Sequence, residues 1–564
     1  MMTAWQKSSI GLVLSLTALS ATVVMAPSTL YDPINLPKLA VIVIGSFVAF
    51  GLLSTNLKTL WKTSYRPYTL WVIIFNLHLV IVLLVSEANN IKEFYGADGR
   101  STGLLAYCSL SLILFVAILS ATETNLERVS KFLFITFALS LVYGILQNFG
   151  ADPIKWNLMY SPVMGFLGNP NFQSSFLGMA GVLIFARILD KNQTLVFKSA
   201  YAFCLLLTLF VIRASNSQQG FLVLAGGLTF VFLVWISKSK FKKLTIPGLS
   251  IAIFGFFVVL FGTLNKGPLA ALLFKDSVTF RGDYWTAGWN MTTSNPLFGI
   301  GVDNYGDWYR RTRTLEATLR RGPDVTSNAA HNVFLDFSSN GGIPLVLIYF
   351  FVIAMVIRAA AKLIWRQEGF NAVSTGLIGA WIAYQAQSVI SLNQLGLAIW
   401  GWLLSGLIIG YEIETRKHQS DATNTQPSKP GRSASIGNRN KNSDSKILVG
   451  GLAGGLISLL AIVPALNASI QVRNANKETD PIAVQNVAKL WPHSSAVQFE
   501  VAYILAQAKF PDLAVEILKT GLSESPDNFV MWRLLTEIPT VSEEEKAEAR
   551  SQMKRLDPLN PNLK

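Results

Sequence analysis

The residues of this chain that are best suited to chemistry lie close together, in the stretch 265–342. His331 is one of only four histidines in 564 residues, and histidine is the side chain best matched to proton transfer near neutral pH. Arg281 precedes it, and five more arginines follow between residues 310 and 321 with a single glutamate among them: Arg310, Arg311, Arg313, Arg320 and Arg321. Because the planar guanidinium matches phosphate oxygens, these residues predict a site for an anionic, phosphate-bearing ligand. The alternative is that they form salt bridges within the loop or to anionic lipid head groups.

Other classes of site are not indicated by the sequence. Cys108 and Cys204 lie inside apolar runs and are expected to be small core residues. No Cys/His spacing resembles a zinc site, and there is no glycine-rich phosphate loop, so we expect no metal and no cofactor. The net charge of +14 resides mostly in short connectors between apolar runs. This placement favours topology determinants and contact with lipid over the binding of nucleic acid.

The elements that must position these residues are membrane helices. The chain is 51% hydrophobic and 14% charged, whereas soluble domains carry about 25% charged residues. A bilayer core of about 30 Å requires about 20 apolar residues in a helix. On this basis we predict about thirteen spans, near 10–28, 38–56, 69–86, 103–121, 130–148, 172–189, 198–213, 220–237, 247–264, 343–364, 372–391, 394–412 and 447–468.

The charged connectors predict the orientation of the spans. Basic residues such as Lys58, Arg128, Lys242 and Arg366 follow alternate spans, so they share one face of the membrane. By the positive-inside rule that face is cytoplasmic, and the N-terminus lies there too. The loop 265–342 is then outside the cytoplasm, and an odd number of spans places the C-terminus outside as well.

The last third of the chain changes in composition. Residues 414–446 are rich in Ser, Asn, Lys and Pro, which predicts a disordered cytoplasmic linker before the final span. Residues 475–564 are soluble in composition, with short apolar stretches at helical spacing separated by prolines. They resemble tetratricopeptide repeats, with a small helical bundle as the alternative, and they offer a surface for a protein partner. The predicted fold is therefore all-α, with a polytopic membrane domain over 1–413 and a small extracytoplasmic helical domain at the C-terminus.

Several motifs occur in order along the outer loops. They are Gly168-Asn169-Pro170-Asn171-Phe172, Arg281-x-x-x-Trp285, Asn295-Pro296-Leu297-Phe298-Gly299-Ile300-Gly301-Val302-Asp303-Asn304-Tyr305, His331-Asn332-x-Phe334-Leu335 and Gly341-Gly342. Together they resemble the signature loop of the O-antigen ligase and O-antigen polymerase superfamily, over roughly 160–345.

This resemblance implies a metal-independent, inverting glycosyl transfer in the bacterial cytoplasmic membrane. The donor would be a glycan on a polyprenyl diphosphate carrier, and the acceptor a hydroxyl group on a lipid, a protein or a wall polymer. Arg281 would contact the diphosphate, and His331 would serve the acceptor hydroxyl. No cofactor is implied.

One position departs from the family pattern. Where family members often carry a second phosphate-binding arginine in a Ser-Arg-Gly motif, this chain has Gln218. An amide can still donate a hydrogen bond to phosphate, and a nearby arginine can compensate. The candidate substrate-binding residues besides Arg281 and His331 are Arg213, Gln218, Arg310, Arg311, Arg313, Asn332, Asn169 and Asn171.

Four functions are compatible with these features. A ligase would move a preassembled glycan, and a polymerase would join lipid-linked repeat units. A transporter or flippase of a lipid-linked anionic substrate is a third possibility, although transporters usually keep ionisable residues within their spans. A scaffold whose C-terminal helices bind a partner is the fourth, and it leaves the arrangement of Arg281 and His331 unexplained. The outward helical domain, which is suited to presenting an acceptor, favours the ligase.

Overall fold

The computed structural model describes residues 2–86, 90–154, 163–274, 276–424 and 441–563. Over these ranges the regular structure is helical and contains no strand, which confirms the all-α prediction. The membrane part contains α1 Ala4–Val23, α2 Asn35–Gly51, α3 Arg66–Val85, α4 Asn90–Tyr95, α5 Leu104–Ser120, α6 Glu123–Asn148, α7 Pro170–Ile188, α8 Leu195–Ala214, α9 Gln219–Ser237, α10 Thr245–Thr263, α11 Ala270–Leu273, α12 Asp276–Ser294, α13 Tyr305–Thr312, α14 Leu315–Arg321, α15 Val333–Arg366, α16 Ala372–Ile390, α17 Leu395–Asn424 and α18 Lys441–Ala475. The C-terminal part contains α19 Pro481–Val487, α20 Ser495–Gln507, α21 Pro511–Glu524, α22 Phe529–Glu537 and α23 Glu543–Leu556.

Every predicted span coincides with a helix, but not every one of these helices is apolar enough to cross a membrane by itself. In the described part of the chain eight helices meet the length and composition of a span, or nine if α2 and the bent 3₁₀ segment after it count as one. Among the others, α7 and α16 lie mostly buried within the bundle. A helix that faces other helices instead of lipid tolerates buried polar residues such as Gln173, Ser174 and Ser175, because neighbouring backbone carbonyls accept their hydrogen bonds.

Close helix packing depends on small residues. A Cβ atom added at Gly178 of α7 would lie 2.6 Å from the carbonyl oxygen of Gly220 on α9. A Cβ atom at Gly406 of α17 would lie 2.1 Å from the carbonyl oxygen of Leu114 on α5. Both contacts bring helix backbones together as small residues do in membrane bundles.

Basic residues from the N-terminal segment and from the end of α15 meet at α17. Lys7 pairs with Glu414 at 3.1 Å, and Arg366 pairs with Glu412 at 2.5 Å. Helix α15 runs from the loop of His331 to Arg366, so the long loop lies at the opposite end. The cytoplasmic assignment of the basic end remains a prediction.

Helices extend into both ends of the predicted linker 414–446, and the linker itself stays a prediction. Helix α17 continues to Asn424 and α18 begins at Lys441, while residues 425–440 lie outside the described part of the chain. Neither Gly nor Pro occurs between Tyr411 and Pro427, so nothing in the sequence stops α17 at residue 413.

The final membrane helix is continuous with the C-terminal domain. Val472 and Ala475, in the last turns of α18, belong to the same hydrophobic core as Val501, Leu518 and Leu535. Helices α20 and α21 pack against each other, as do α22 and α23. Such pairs occur in both predicted alternatives, and the tetratricopeptide assignment remains a prediction.

Candidate active site at the outer loop

The backbone around His331 is held in an unusual conformation. His331 has a φ of 53°, which places a non-glycine residue in the left-handed region. The next residue, Asn332, caps α15, and its Oδ1 accepts from the backbone N–H groups of Phe334 and Leu335 at 3.0 and 3.1 Å. On the other side, the N–H of Ala330 donates to Asp336 at 2.8 Å. Because hydrogen bonds fix the residues on both sides of His331, its strained backbone conformation is maintained, as is common at functional sites.

The imidazole of His331 is free to accept a proton. Its ring stacks on Tyr284 at 5.3 Å between centroids, and its nitrogens have no hydrogen-bond partner among the described residues. Burial lowers the pKa of His331, and nearby positive charges contribute to bring it to about 4. These charges belong to Arg281, Arg100 and Arg321. The ring is therefore neutral at physiological pH.

Arg281 is the second residue of the predicted catalytic pair. Arg281, Tyr284 and Trp285 are spaced i, i+3 and i+4 along α12, so they share one helix face. The guanidinium of Arg281 is half-buried and forms no hydrogen bond or ion pair with any residue of the described ranges. Burial lowers its pKa, but an arginine remains charged in proteins. A partly buried charge without a counterion is costly, and an anionic ligand would offset that cost.

Two neighbouring arginines hold α12 in place. Arg320 pairs with Asp283 at 2.7 Å and also with Glu316. Arg321 donates to the hydroxyl of Tyr284 and lies 4.2 Å from the ring centroid of Phe280. These contacts attach α14 to the helix that carries Arg281.

Arg310, Arg311 and Arg313 lie against the C-terminal domain, which is a correction to their expected role. Arg310 and Arg313 both pair with the buried Asp557, at 3.0 and 2.8 Å. Arg311 pairs with Asp527 at 2.6 Å. The cluster in sequence predicted a phosphate site, but in the structure all three guanidinium groups pair with carboxylates of the C-terminal domain. The salt bridges of these three residues reach the C-terminal domain, a partner that neither alternative predicted.

Arg213 and Gln218 share a cavity of about 490 Å³ where α8, α9 and α10 meet, together with Phe221, Leu222 and Thr263. Arg213 is exposed and makes no ion pair within the described residues. The residues that line this cavity do not include Arg281 or His331. The structure therefore brings Arg213 and Gln218 together, but in a cavity of their own.

The side chains of the predicted asparagines form hydrogen bonds at the ends of helices. Asn169 caps α7, and its side chain accepts from the N–H of Asn171 at 2.9 Å. Asn171 in turn accepts from the hydroxyl of Ser217 at 2.7 Å and so holds the segment next to Gln218. With Asn332 at the start of α15, all three amides shape the outer ends of helices.

The comparisons with known proteins bear on this same segment. Residues 203–350 match the family described as O-antigen ligase. The match begins in α8 and ends in α15, so it contains both Arg281 and His331.

This segment resembles an O-antigen ligase domain.

No curated protein matches the sequence. This similarity and the apolar helices support a multi-pass bacterial membrane protein and an enzyme that acts on lipid-linked glycans. Within the described ranges, no group of three or more His, Cys, Asp or Glu side chains is arranged to hold a metal ion.

Two residues that the sequence did not single out, Arg100 and Tyr284, contact the segment of His331. Arg100 is buried, pairs with Asp303 at 3.0 Å and donates to the carbonyl of Asn328, three residues before His331. A signal for Arg100 was present, because it lies between the predicted spans 69–86 and 103–121, on the outer face where topology gives no reason for an arginine. Tyr284 carried no such signal, since its role depends on the stacking of two rings distant in sequence.

Proposed function

We propose that the chain is a membrane glycosyltransferase of the O-antigen ligase type. It transfers a glycan from a polyprenyl diphosphate carrier to a hydroxyl acceptor at the outer face of the bacterial cytoplasmic membrane, with inversion and without a metal. The observation that carries this proposal is the pair of Arg281 and His331. Both side chains lack hydrogen-bond partners among the described residues, and both lie inside the matched family segment.

The chemistry follows from the charges of the pair. The acceptor hydroxyl attacks the anomeric carbon while the bond from that carbon to the diphosphate oxygen breaks, and the electron pair leaves with the diphosphate. Arg281 stabilises the charge that develops on this leaving group. His331, which is neutral, takes the proton of the attacking hydroxyl. The arriving diphosphate offsets the surrounding arginine charges and thereby raises the proton affinity of His331 when it is needed.

The C-terminal domain supports a ligase over a polymerase. Asp557 and Asp527 of this domain pair with Arg310, Arg311 and Arg313 of the long loop. These arginines precede His331 in the same loop. A domain placed there can present a protein or polymer acceptor, which a polymerase joining lipid-linked repeats does not require. The deletion strain separates the two functions, because long carrier-linked chains accumulate without a ligase and single repeat units without a polymerase.

The decisive variants are His331→Asn and Arg281→Gln. Asparagine tolerates the left-handed backbone at residue 331 but is not a base at neutral pH. We expect glycan attachment to fall by about 10²–10³-fold in each variant, while expression and membrane insertion stay normal. The matched controls are His493→Asn and Arg550→Gln on the C-terminal domain, where Arg550 is exposed and has no partner in the described residues. Normal attachment in either site variant would refute the enzymatic assignment.

A further inference from the structure

A cleft of about 450 Å³ lies between the long loop and the C-terminal domain. One wall is the segment 294–300 that follows α12, together with Asp307 and Trp308 of α13. The other wall is the segment 524–528, which connects α21 to α22. The volume falls in the range of roughly 300–1,000 Å³ that is usual for small-molecule sites.

Two carboxylates in the walls of this cleft are already paired with cations. Asp307 contacts Lys92 at 2.6 Å, and Asp527 contacts Arg311 at 2.6 Å. Lys92 is the one cation among the described residues that line the cleft, and Glu524 adds a further negative charge to its wall. An anionic ligand such as a phosphate would have to displace one of these carboxylates, so the cleft suits an uncharged ligand.

The remaining groups suit a ligand that is rich in hydroxyls. The amide of Asn295 and the hydroxyl of Ser294 line the cleft and make no hydrogen bond to the described part of the chain. Trp308 adds an aromatic surface, and the guanidinium of Arg311 lies 4.4 Å from its ring centroid. Amides and hydroxyls beside an indole can bind the polar edge and the apolar face of a sugar ring at once.

We infer that this cleft binds sugar residues of the glycan at a distance from the bond that is made. The inference rests on the proposed function, because the ligand of the cleft is the glycan that the proposed reaction transfers or extends. The sugars can come from the lipid-linked donor or from a saccharide acceptor, and both present the same chemistry. The C-terminal domain would then form half of a substrate site instead of serving only as a surface for another protein.

The test is a binding measurement on the full chain in detergent. One probe is the oligosaccharide released by acid from the carrier-linked glycan of the deletion strain, which carries no diphosphate. The second probe is a saccharide fragment of the cell's own envelope polymer. Wild type should bind one of the two probes in isothermal titration, and the probe that binds identifies the source of the sugars. Failure of both probes to bind would overturn the inference.

Two variants localise the binding. Asn295→Ala removes one unpartnered amide and should weaken binding about three- to tenfold. Ser294→Trp fills the cleft and should abolish binding. The control is Asn486→Ala, an exposed asparagine of α19 outside the cleft that has no side-chain partner in the described residues. Melting temperatures equal to wild type establish that the variants are folded, and unchanged binding in both cleft variants would overturn the inference.

The test of the cleft can fail independently of the test of the proposed function. If His331→Asn abolishes transfer but the cleft variants bind sugar and transfer glycan as wild type does, the cleft inference fails and the enzymatic proposal stands. If His331→Asn transfers normally, the proposed function fails whatever the cleft binds.

Discussion

The carboxylate of Asp557 accepts a hydrogen bond of 2.8 Å from the guanidinium of Arg313, although 244 positions separate the two residues along the chain. The same carboxylate accepts from Arg310 at 3.0 Å, and all three side chains are buried. The guanidinium of Arg310 also lies 4.1 Å from the ring centroid of Phe529 in the C-terminal domain. The long loop and the C-terminal domain are therefore joined by buried charge.

We predict that Asp557→Asn detaches the C-terminal domain from the loop. Two buried arginines would lose their counterion, and such a loss costs about 3–5 kcal/mol. A lower melting temperature and faster proteolysis after α18 measure this effect. Glu548→Gln, at an exposed position of the preceding helix α23, should change neither property. Wild-type stability of Asp557→Asn would contradict the docking role.

We predict that transfer is insensitive to pH down to the acid range. A base acts in its neutral form, and the pKa of His331 in the free protein is lowered to about 4 by burial and by the charges of three arginines. The value of kcat/KM should therefore stay constant from pH 8 to about pH 5.5 and fall only as the pH approaches 4. A loss of kcat/KM centred near pH 6.5 would show that another group, or a histidine with an ordinary pKa, carries the proton.

The same group has a predictable effect on stability. Between pH 6.5 and 4 the unfolded chain binds a proton at His331 that the folded chain does not bind, so the free energy of unfolding falls as the pH is lowered through this window. His331→Asn removes that proton and should flatten this part of the curve. The measurement is thermal unfolding at several pH values, with His493→Asn as the control.

We predict that Glu93→Gln stabilises the protein at pH 8. Glu93 is fully buried, its Oε1 accepts from Ser86 at 2.6 Å and from Asn304 at 2.9 Å, and burial raises its pKa to about 8. The folded chain therefore holds a proton that the unfolded chain releases above pH 4.5, and stability is lost as the pH rises from 4.5 to 8. Glutamine keeps the acceptor oxygen and needs no proton, so it should gain about 1–3 kcal/mol at pH 8 and little at pH 5. Equal melting curves for the two proteins at pH 8 would show that Glu93 is ionised.

We predict that Gly342→Ala disrupts the outer loop. Gly342 breaks α15 with a φ of 76°, and an added Cβ atom would lie 2.4 Å from the backbone of Leu297. The substitution would push the segment 295–300 away from α15, which it contacts through the hydrogen bond from Ile343 to Pro296 at 2.8 Å. A loss of at least about 1–3 kcal/mol is expected in thermal unfolding. Gly226→Ala, in the interior of α9 with open space around it, should be neutral or stabilising.

From the sequence alone, the helices and the chemistry-bearing loop could be located. Apolar runs about as long as the bilayer is thick specify the membrane helices locally, so each predicted span coincided with a helix. The break at Gly342 also agrees with the predicted span start at residue 343. Arg281 and His331 could be proposed as site residues because their chemistry and motifs are local properties of the chain.

Only the tertiary structure decided which arginines are free and which are paired. Arg281 and Arg313 look alike in sequence, yet one lacks a counterion in the described residues and the other is buried on Asp557. Pairing depends on where a distant helix docks, and no local pattern encodes the approach of a carboxylate 244 positions away. The same reason explains why the sequence did not single out Arg100 and Tyr284, and why the cleft at Asn295 appears only in three dimensions. Its two walls come from segments that are distant in sequence, 294–308 and 524–528.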